Sequence, residues 1–81
     1  MHENLRKAFG LAVKRNRNSR AMTQEELAEA TQLHRTYISD VERGTRNLSL
    51  SAMLKIAEGL VMQVSALFAE AEAEAKNNSQ Q

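Results

Sequence analysis

An all-α fold of five short helices is what this sequence predicts, and three observations carry the prediction. Proline is absent and glycine occurs only three times in 81 residues, so little interrupts a helix. Strong helix formers (Ala, Leu, Glu, Lys, Arg, Gln) make up much of the chain. Apolar residues recur at three- and four-residue spacing in segments parted by short polar stretches. The length suits one small domain. With 42% apolar residues but no Trp, two Phe and one Tyr, its core must be mainly aliphatic.

Helix 1 is expected from about Asn4 to Asn18, on the spacing of Leu5, Ala8, Phe9, Ala12 and Val13; Gly10 costs it a little. Thr23-Gln24-Glu25-Glu26 reads as a capping box: the Thr23 hydroxyl accepts from an amide of the first turn, and Glu26 reaches back to the Thr23 amide. Helix 2 then runs to about Ala30. Thr31-Gln32-Leu33 is a tight turn, and helix 3 covers about His34 to Arg43 and stops near Gly44. Thr45 to Ser49 is polar and irregular. Helix 4 spans about Leu50 to Gly59, with Leu50, Met53, Leu54, Ala57 and Leu60 as its apolar stripe, and helix 5 about Val64 to Ala75. The expected domain is residues 4–75, followed by a disordered tail at 76–81.

The net charge is only +1, but it is unevenly spread. Residues 1–20 carry Arg6, Lys7, Lys14, Arg15, Arg17 and Arg20 against Glu3, and Arg35, Arg43 and Arg46 follow later. The acids collect at Glu25, Glu26 and Glu29 and at Glu70, Glu72 and Glu74. One positive face is all that a nucleic-acid binder needs, although a mixed, solvated surface has the same composition. The chain has no cysteine, hence no disulfide and no Cys-based metal site, which suits a reducing cytoplasm. No apolar run approaches the roughly 18 residues of a membrane span, and no signal peptide is visible. The basic residues of helix 1 wrap around it, which argues against a membrane-surface helix.

The informative stretch is Gln24 to Val41. Two short helices joined by a three-residue turn must cross steeply and touch closely, and Ala28 supplies the small residue for that crossing. Leu27, Leu33, Ile38 and Val41 complete a helix-turn-helix pattern; the bland alternative is an ordinary αα-hairpin. With Ile38 and Val41 turned inward, Arg35, Thr36 and Ser39 lie outward near the start of helix 3, where a recognition helix meets base edges. Arginine pairs bidentately with guanine, and a threonine hydroxyl or methyl suits several base edges. Gln24, at the start of helix 2, is placed for a phosphate. Arg43, Arg46 and Asn47 are placed to straddle the backbone, and Arg17 joins that set; for Arg43 alone, C-capping and solvation is the simpler reading.

Gln24-Glu25-Glu26-Leu27-Ala28, the run His34-Arg35-Thr36-Tyr37-Ile38-Ser39-Asp40-Val41-Glu42-Arg43-Gly44, Asn47-Leu48-Ser49-Leu50 and Leu54-Lys55-Ile56-Ala57 together resemble the lambda-repressor-like (XRE-type) helix-turn-helix family. The Arg-Thr-Tyr-Ile-Ser core followed by Glu-Arg-Gly and Arg-Asn is most similar to controller proteins of restriction–modification systems. The resemblance covers about residues 5 to 70. It implies a five-helix DNA-binding domain with the helix-turn-helix formed by helices 2 and 3, acting as a homodimer that regulates transcription. By position it implies a phosphate role for Gln24 and a base-facing role for Arg35, Thr36 and Ser39. Tyr37 resembles a backbone contact or packing residue, and Arg46 and Asn47 the loop resting on the sugar-phosphate chain. Double-stranded operator DNA is the implied ligand and RNA polymerase a further candidate partner; no cofactor is implied. Three positions depart from the family pattern. Gln32 and Val61 stand where glycine is usual, and His34 stands where Ser or Asp usually caps helix 3.

An enzyme is the first rival, but His34, Ser39 and Asp40 share one short helix with no partner segment, and His2 and His34 alone cannot close a metal site. An antitoxin-like protein that neutralises a partner is the second; it would not need the Arg35 face. A lone helix-turn-helix makes too few contacts for operator specificity, so a two-fold dimer on a near-palindrome is expected. Its surface should come from Met62, Val64, Leu67 and Phe68, with Met62 and one of Leu67 or Phe68 facing the second subunit.

Overall fold

The computed structural model describes residues 3–79. They form α1 (Glu3–Ser19), α2 (Gln24–Thr31), α3 (Arg35–Arg43), α4 (Leu50–Gly59) and α5 (Val64–Ser79). The expected five helices are present, and α4 has the expected bounds. The tail expected from residue 76 is helical as far as Ser79, so the domain extends past residue 75; residues 80–81 and His2 lie outside the described residues.

Each boundary has a local cause. Thr23 caps α2 through a full capping box: its hydroxyl accepts from the Glu26 amide at 3.0 Å, and Glu26 Oε1 accepts from the Thr23 amide at 2.8 Å. Ser49 caps α4 by accepting from the Ala52 amide. His34 is the N-cap of α3 and provides no side-chain cap bond, as its residue type predicts. The turn between α2 and α3 is sealed by Thr31, whose buried hydroxyl donates to the Leu27 carbonyl at 2.9 Å and accepts from the Leu33 amide at 3.3 Å.

Two of the family departures fall on strained backbone. Gln32 has φ +61° and Val61 φ +56°; Ala21, at φ +54°, shares the left-handed conformation. Gln32 ends α2, and its amide reaches the carbonyls of Ala28 and Glu29. Glycine adopts this geometry without the Cβ penalty. Gln32→Gly is therefore expected to stabilise the domain by about 0.5–1 kcal/mol and to raise Tm by about 4 °C. Thermal unfolding followed by circular dichroism checks this; a fall in Tm would mean that the Gln32 side chain holds the turn.

The core joins all five helices. Phe9 and Val13 of α1 meet Leu27 of α2, Ile38 and Val41 of α3, Ile56 of α4 and Leu67 of α5, all fully buried. Each such side chain removed from water contributes roughly 1.5–3 kcal/mol. Helix α1 packs against both α3 and α5, and Gly10 sets its closeness to α3. A Cβ at Gly10 would meet the Glu42 carbonyl oxygen at 2.9 Å and the Val41 carbonyl oxygen closer still. Gly10 is thus a requirement of the α1–α3 crossing and not merely a weak point in α1.

Of the expected stripe of α4, Ala57 and Leu60 are buried and Met53 is half-buried, but the buried face is rotated away from Leu50 and Leu54. Ala52, Ile56 and Ala57 are buried with Leu60, whereas Leu50 is 70% and Leu54 44% exposed. Leu67 is fully buried and therefore cannot be part of a surface between subunits; its neighbour Phe68 is the outward member of the pair.

Candidate nucleic-acid interface

The helix-turn-helix is held from beneath by a buried charge network. Arg17 of α1, only 9% exposed, donates from Nε to Glu42 Oε2 at 2.6 Å and from Nη2 to Glu42 Oε1 at 3.0 Å. Its Nη1 donates to the Met22 carbonyl at 2.8 Å. The bidentate hydrogen bonds to Glu42 hold the guanidinium firmly protonated, outweighing the burial that opposes its charge. Gln24 joins the network by donating from Nε2 to Glu42 Oε1 at 3.0 Å. Arg17 was expected at the DNA backbone; with every guanidinium nitrogen bonded inside the fold, it is a structural residue that ties α1 to α3. The spacing held the signal, because Arg17 follows Phe9 and Val13 at four-residue steps on the core side of α1.

Above this network, Ile38, Val41 and Glu42 are buried and fix the rotation of α3. Its opposite side carries the expected reading residues. Arg35 and Thr36 are exposed and, among the described residues, have no side-chain hydrogen bond or ion pair. Ser39 is half-buried and accepts from Arg43 Nη1 at 3.1 Å. Arg43 and Arg46 both bind the Asp40 carboxylate, and the Arg46 guanidinium carbon lies 4.6 Å from the centroid of the half-buried Tyr37 ring. Gln24 begins α2, whose amides at residues 24 and 25 precede those bonded by the Thr23 cap. Its own side-chain donor is shared with Glu42.

Asn47 is exposed in the α3–α4 loop, and Arg6, which sequence reasoning counted only as charge, pins that loop. Arg6 donates from Nε to the Gly44 carbonyl at 2.8 Å and from Nη1 to Asn47 Oδ1 at 2.9 Å. Gly44 has φ +74° and sits against the Lys7 backbone, so the loop leaves α3 tightly beside α1. Two further basic residues of the N-terminal cluster serve elsewhere: Arg15 binds Glu70 and Glu74 of α5, and Arg20, just after α1, binds Asn16. The N-terminal excess of positive charge is therefore not a single DNA-facing patch. Arg35, Arg43 and Arg46 with Arg6 form the positive region beside α3.

Apart from Leu11 on α1, the large exposed apolar groups of the described residues lie on α4 and the turn that follows it. Leu50, Met53, Val64 and Phe68 line one wholly apolar concavity together with Ser65, and Val61 is 85% exposed at the turn between the two helices. Phe68 also reaches inward, its ring 6.2 Å from that of Phe9. Met62 is half-buried against the core. Among the described residues no single helix is long and apolar enough to cross a membrane.

Residues 13–60, from the middle of α1 to the end of α4, match the family described as Helix-turn-helix. The chain belongs to this helix-turn-helix family. It is 52% identical over 64 residues to control protein C.BamHI of Bacillus amyloliquefaciens, covering 78% of this chain and 79% of the relative. Among solved structures it is similar to the restriction–modification controller protein C.Esp1396I, described as a tetramer in complex with its natural 35 base-pair operator. That likeness has a TM-score of 0.81 at 35% identity and covers 88% of this chain and 93% of the other. It is also similar to the clp gene regulator ClgR from Corynebacterium glutamicum, with a TM-score of 0.90 at 30% identity over 95% of this chain and 82% of the other. The chain is thus a helix-turn-helix DNA-binding regulator of the controller-protein type, and not an enzyme.

Proposed function

We propose that this regulator binds a palindromic operator as a homodimer in the cytoplasm and places α3 in the major groove of each half-site. In this reading Arg35 pairs with a guanine, Thr36 and Ser39 meet neighbouring base edges, and Gln24, Tyr37, Arg43, Arg46 and Asn47 rest on the backbone. The relatives point to control of a restriction–modification operon, where RNA polymerase is the partner that such a regulator meets at a promoter. The observation that carries the reading is the outward face of α3. Among the described residues, Arg35 and Thr36 stand exposed without a side-chain hydrogen bond or ion pair, on a helix whose other side is locked in the core.

The dimer surface proposed is the apolar concavity of α4 and α5, centred on Leu50 and Phe68 with Val64 beside them. It replaces the surface expected from sequence by dropping Leu67 and adding Leu50, and it leaves Met62 at its edge. Two copies joined there by a two-fold axis would present their α3 helices about 34 Å apart, one turn of DNA.

Arg35→Ala tests the reading. Affinity for an operator enriched from random DNA should fall by roughly 1–3 kcal/mol, with no comparable loss on unrelated duplexes. Fluorescence anisotropy on both DNAs checks this. Equal losses would make Arg35 a phosphate contact and remove the base-reading assignment.

A further inference from the structure

Asp40 lies between the residues assigned to the bases and those assigned to the backbone, and its carboxylate gathers two cations. Oδ1 accepts from Arg43 Nη2, and Oδ2 accepts from Arg46 Nη2 at 3.0 Å. Each guanidinium has a second anchor: Arg43 on the Ser39 hydroxyl, Arg46 on the Tyr37 ring. The Asp40 side chain is only 19% exposed while its arginines are 62% and 43% exposed, so the carboxylate sits beneath the two cations that it organises.

We propose that Asp40 is a positioning and specificity-determining residue: it fixes Arg43 and Arg46 before DNA arrives and weakens the attraction to DNA of arbitrary sequence. The proposal rests on the DNA reading above. Exposed ion pairs contribute little stability, so holding α3 together is a poor account of this arrangement. Two effects follow from the geometry. The carboxylate offsets one of the two positive charges beside the phosphates, and that reduction applies to every duplex alike. Holding both side chains in one conformation removes an ordering cost only where the DNA backbone fits that conformation, as at the operator. The first effect lowers non-specific binding and the second favours specific binding. Their combined action widens the ratio between the two.

The test uses Asp40→Asn, which keeps the shape and removes the charge, in the full chain. Binding to an enriched operator and to a scrambled duplex of equal length is titrated over a salt series. The variant should bind the scrambled duplex about three- to tenfold more tightly, with a slope of log K against log salt steeper by about one. The gain on the operator should be smaller, so that the specificity ratio falls by about threefold or more. Repeating the substitution in an Arg43→Gln, Arg46→Gln background should abolish most of the change in that ratio. An unchanged ratio, or an unchanged slope, overturns the proposal. So does a change in the ratio that persists without the arginines, because Asp40 would then act on specificity without positioning them. A loss of Tm beyond about 10 °C would make Asp40 a structural residue and also count against it. If the wild-type chain does not distinguish the two duplexes, the DNA reading itself fails and the proposal falls with it.

Discussion

Leu50→Asp is expected to yield a folded monomer whose operator affinity is reduced by about two orders of magnitude or more. Leu50 is the first residue of α4, after the Ser49 cap, and is 70% exposed. Aspartate is favoured in a first helical turn, where it meets the positive end of the helix dipole. The monomer thus loses little packing and gains a favourable charge. In a two-fold dimer the same substitution places a carboxylate in an apolar seam. Met62→Asp is a less clean probe, because Met62 packs against the core and its loss would mix unfolding with dissociation. Sedimentation equilibrium, circular dichroism and DNA titration on Leu50→Asp separate the outcomes. A variant that remains dimeric places the interface elsewhere. One that is monomeric yet binds with full affinity removes the dimer from the account.

Arg17→Ala is expected to cost roughly 3–5 kcal/mol, since it leaves the Glu42 carboxylate buried without its charge partner. The Gln24 amide is the remaining side-chain donor to Glu42 and is neutral. At about 4–8 °C of Tm per kcal/mol for a domain of this size, Tm should fall by about 12 °C or more. Arg17→Met combined with Glu42→Leu should recover much of the loss, because it removes both charges and fills the space with apolar groups. Urea denaturation of the three proteins checks both statements. If Arg17→Ala instead kept its stability and lost DNA affinity, the guanidinium would belong to the DNA face after all.

Much of the fold was legible because local chemistry agrees with tertiary packing. The capping box at Thr23 acts as its residue types predict, and Ala28 is buried in the core. Gln32 and Val61 were identifiable as strained from their place in the family pattern, whereas nothing in the sequence marks Ala21. The misses have physical causes. Helix α4 carries two overlapping apolar stripes, one through Leu50, Met53 and Leu54 and one through Ala52, Ile56 and Ala57. Periodicity detects both, but it cannot say which faces the domain's own core. Polar residues after Ala75 resemble a tail, yet adding residues to an existing helix costs little, and Lys76 suits its negative end. Gly10 counts against a helix by propensity; only the approach of α3 makes it necessary.

The reading face was legible in its exposed members and not in its supports. Arg35 and Thr36 follow from the inward turn of Ile38 and Val41. Arg6 and Glu42 act across distances of sequence that no local pattern reveals; the Arg6–Asn47 bond spans 41 residues, whereas Asp40 pairs with Arg43 one helical turn on and with Arg46 just beyond. Charge clustering misled for the same reason, since a cation's partner is chosen by the fold.

Selection of bound duplexes from a random pool by the wild-type chain tests the central claim most directly. The account predicts an enriched inverted repeat, its two half-sites centred about one helical turn apart, with a guanine in each half whose replacement abolishes the effect of Arg35→Ala. A pool that shows no enrichment, or a single unpaired half-site bound at full affinity by one subunit, would contradict it.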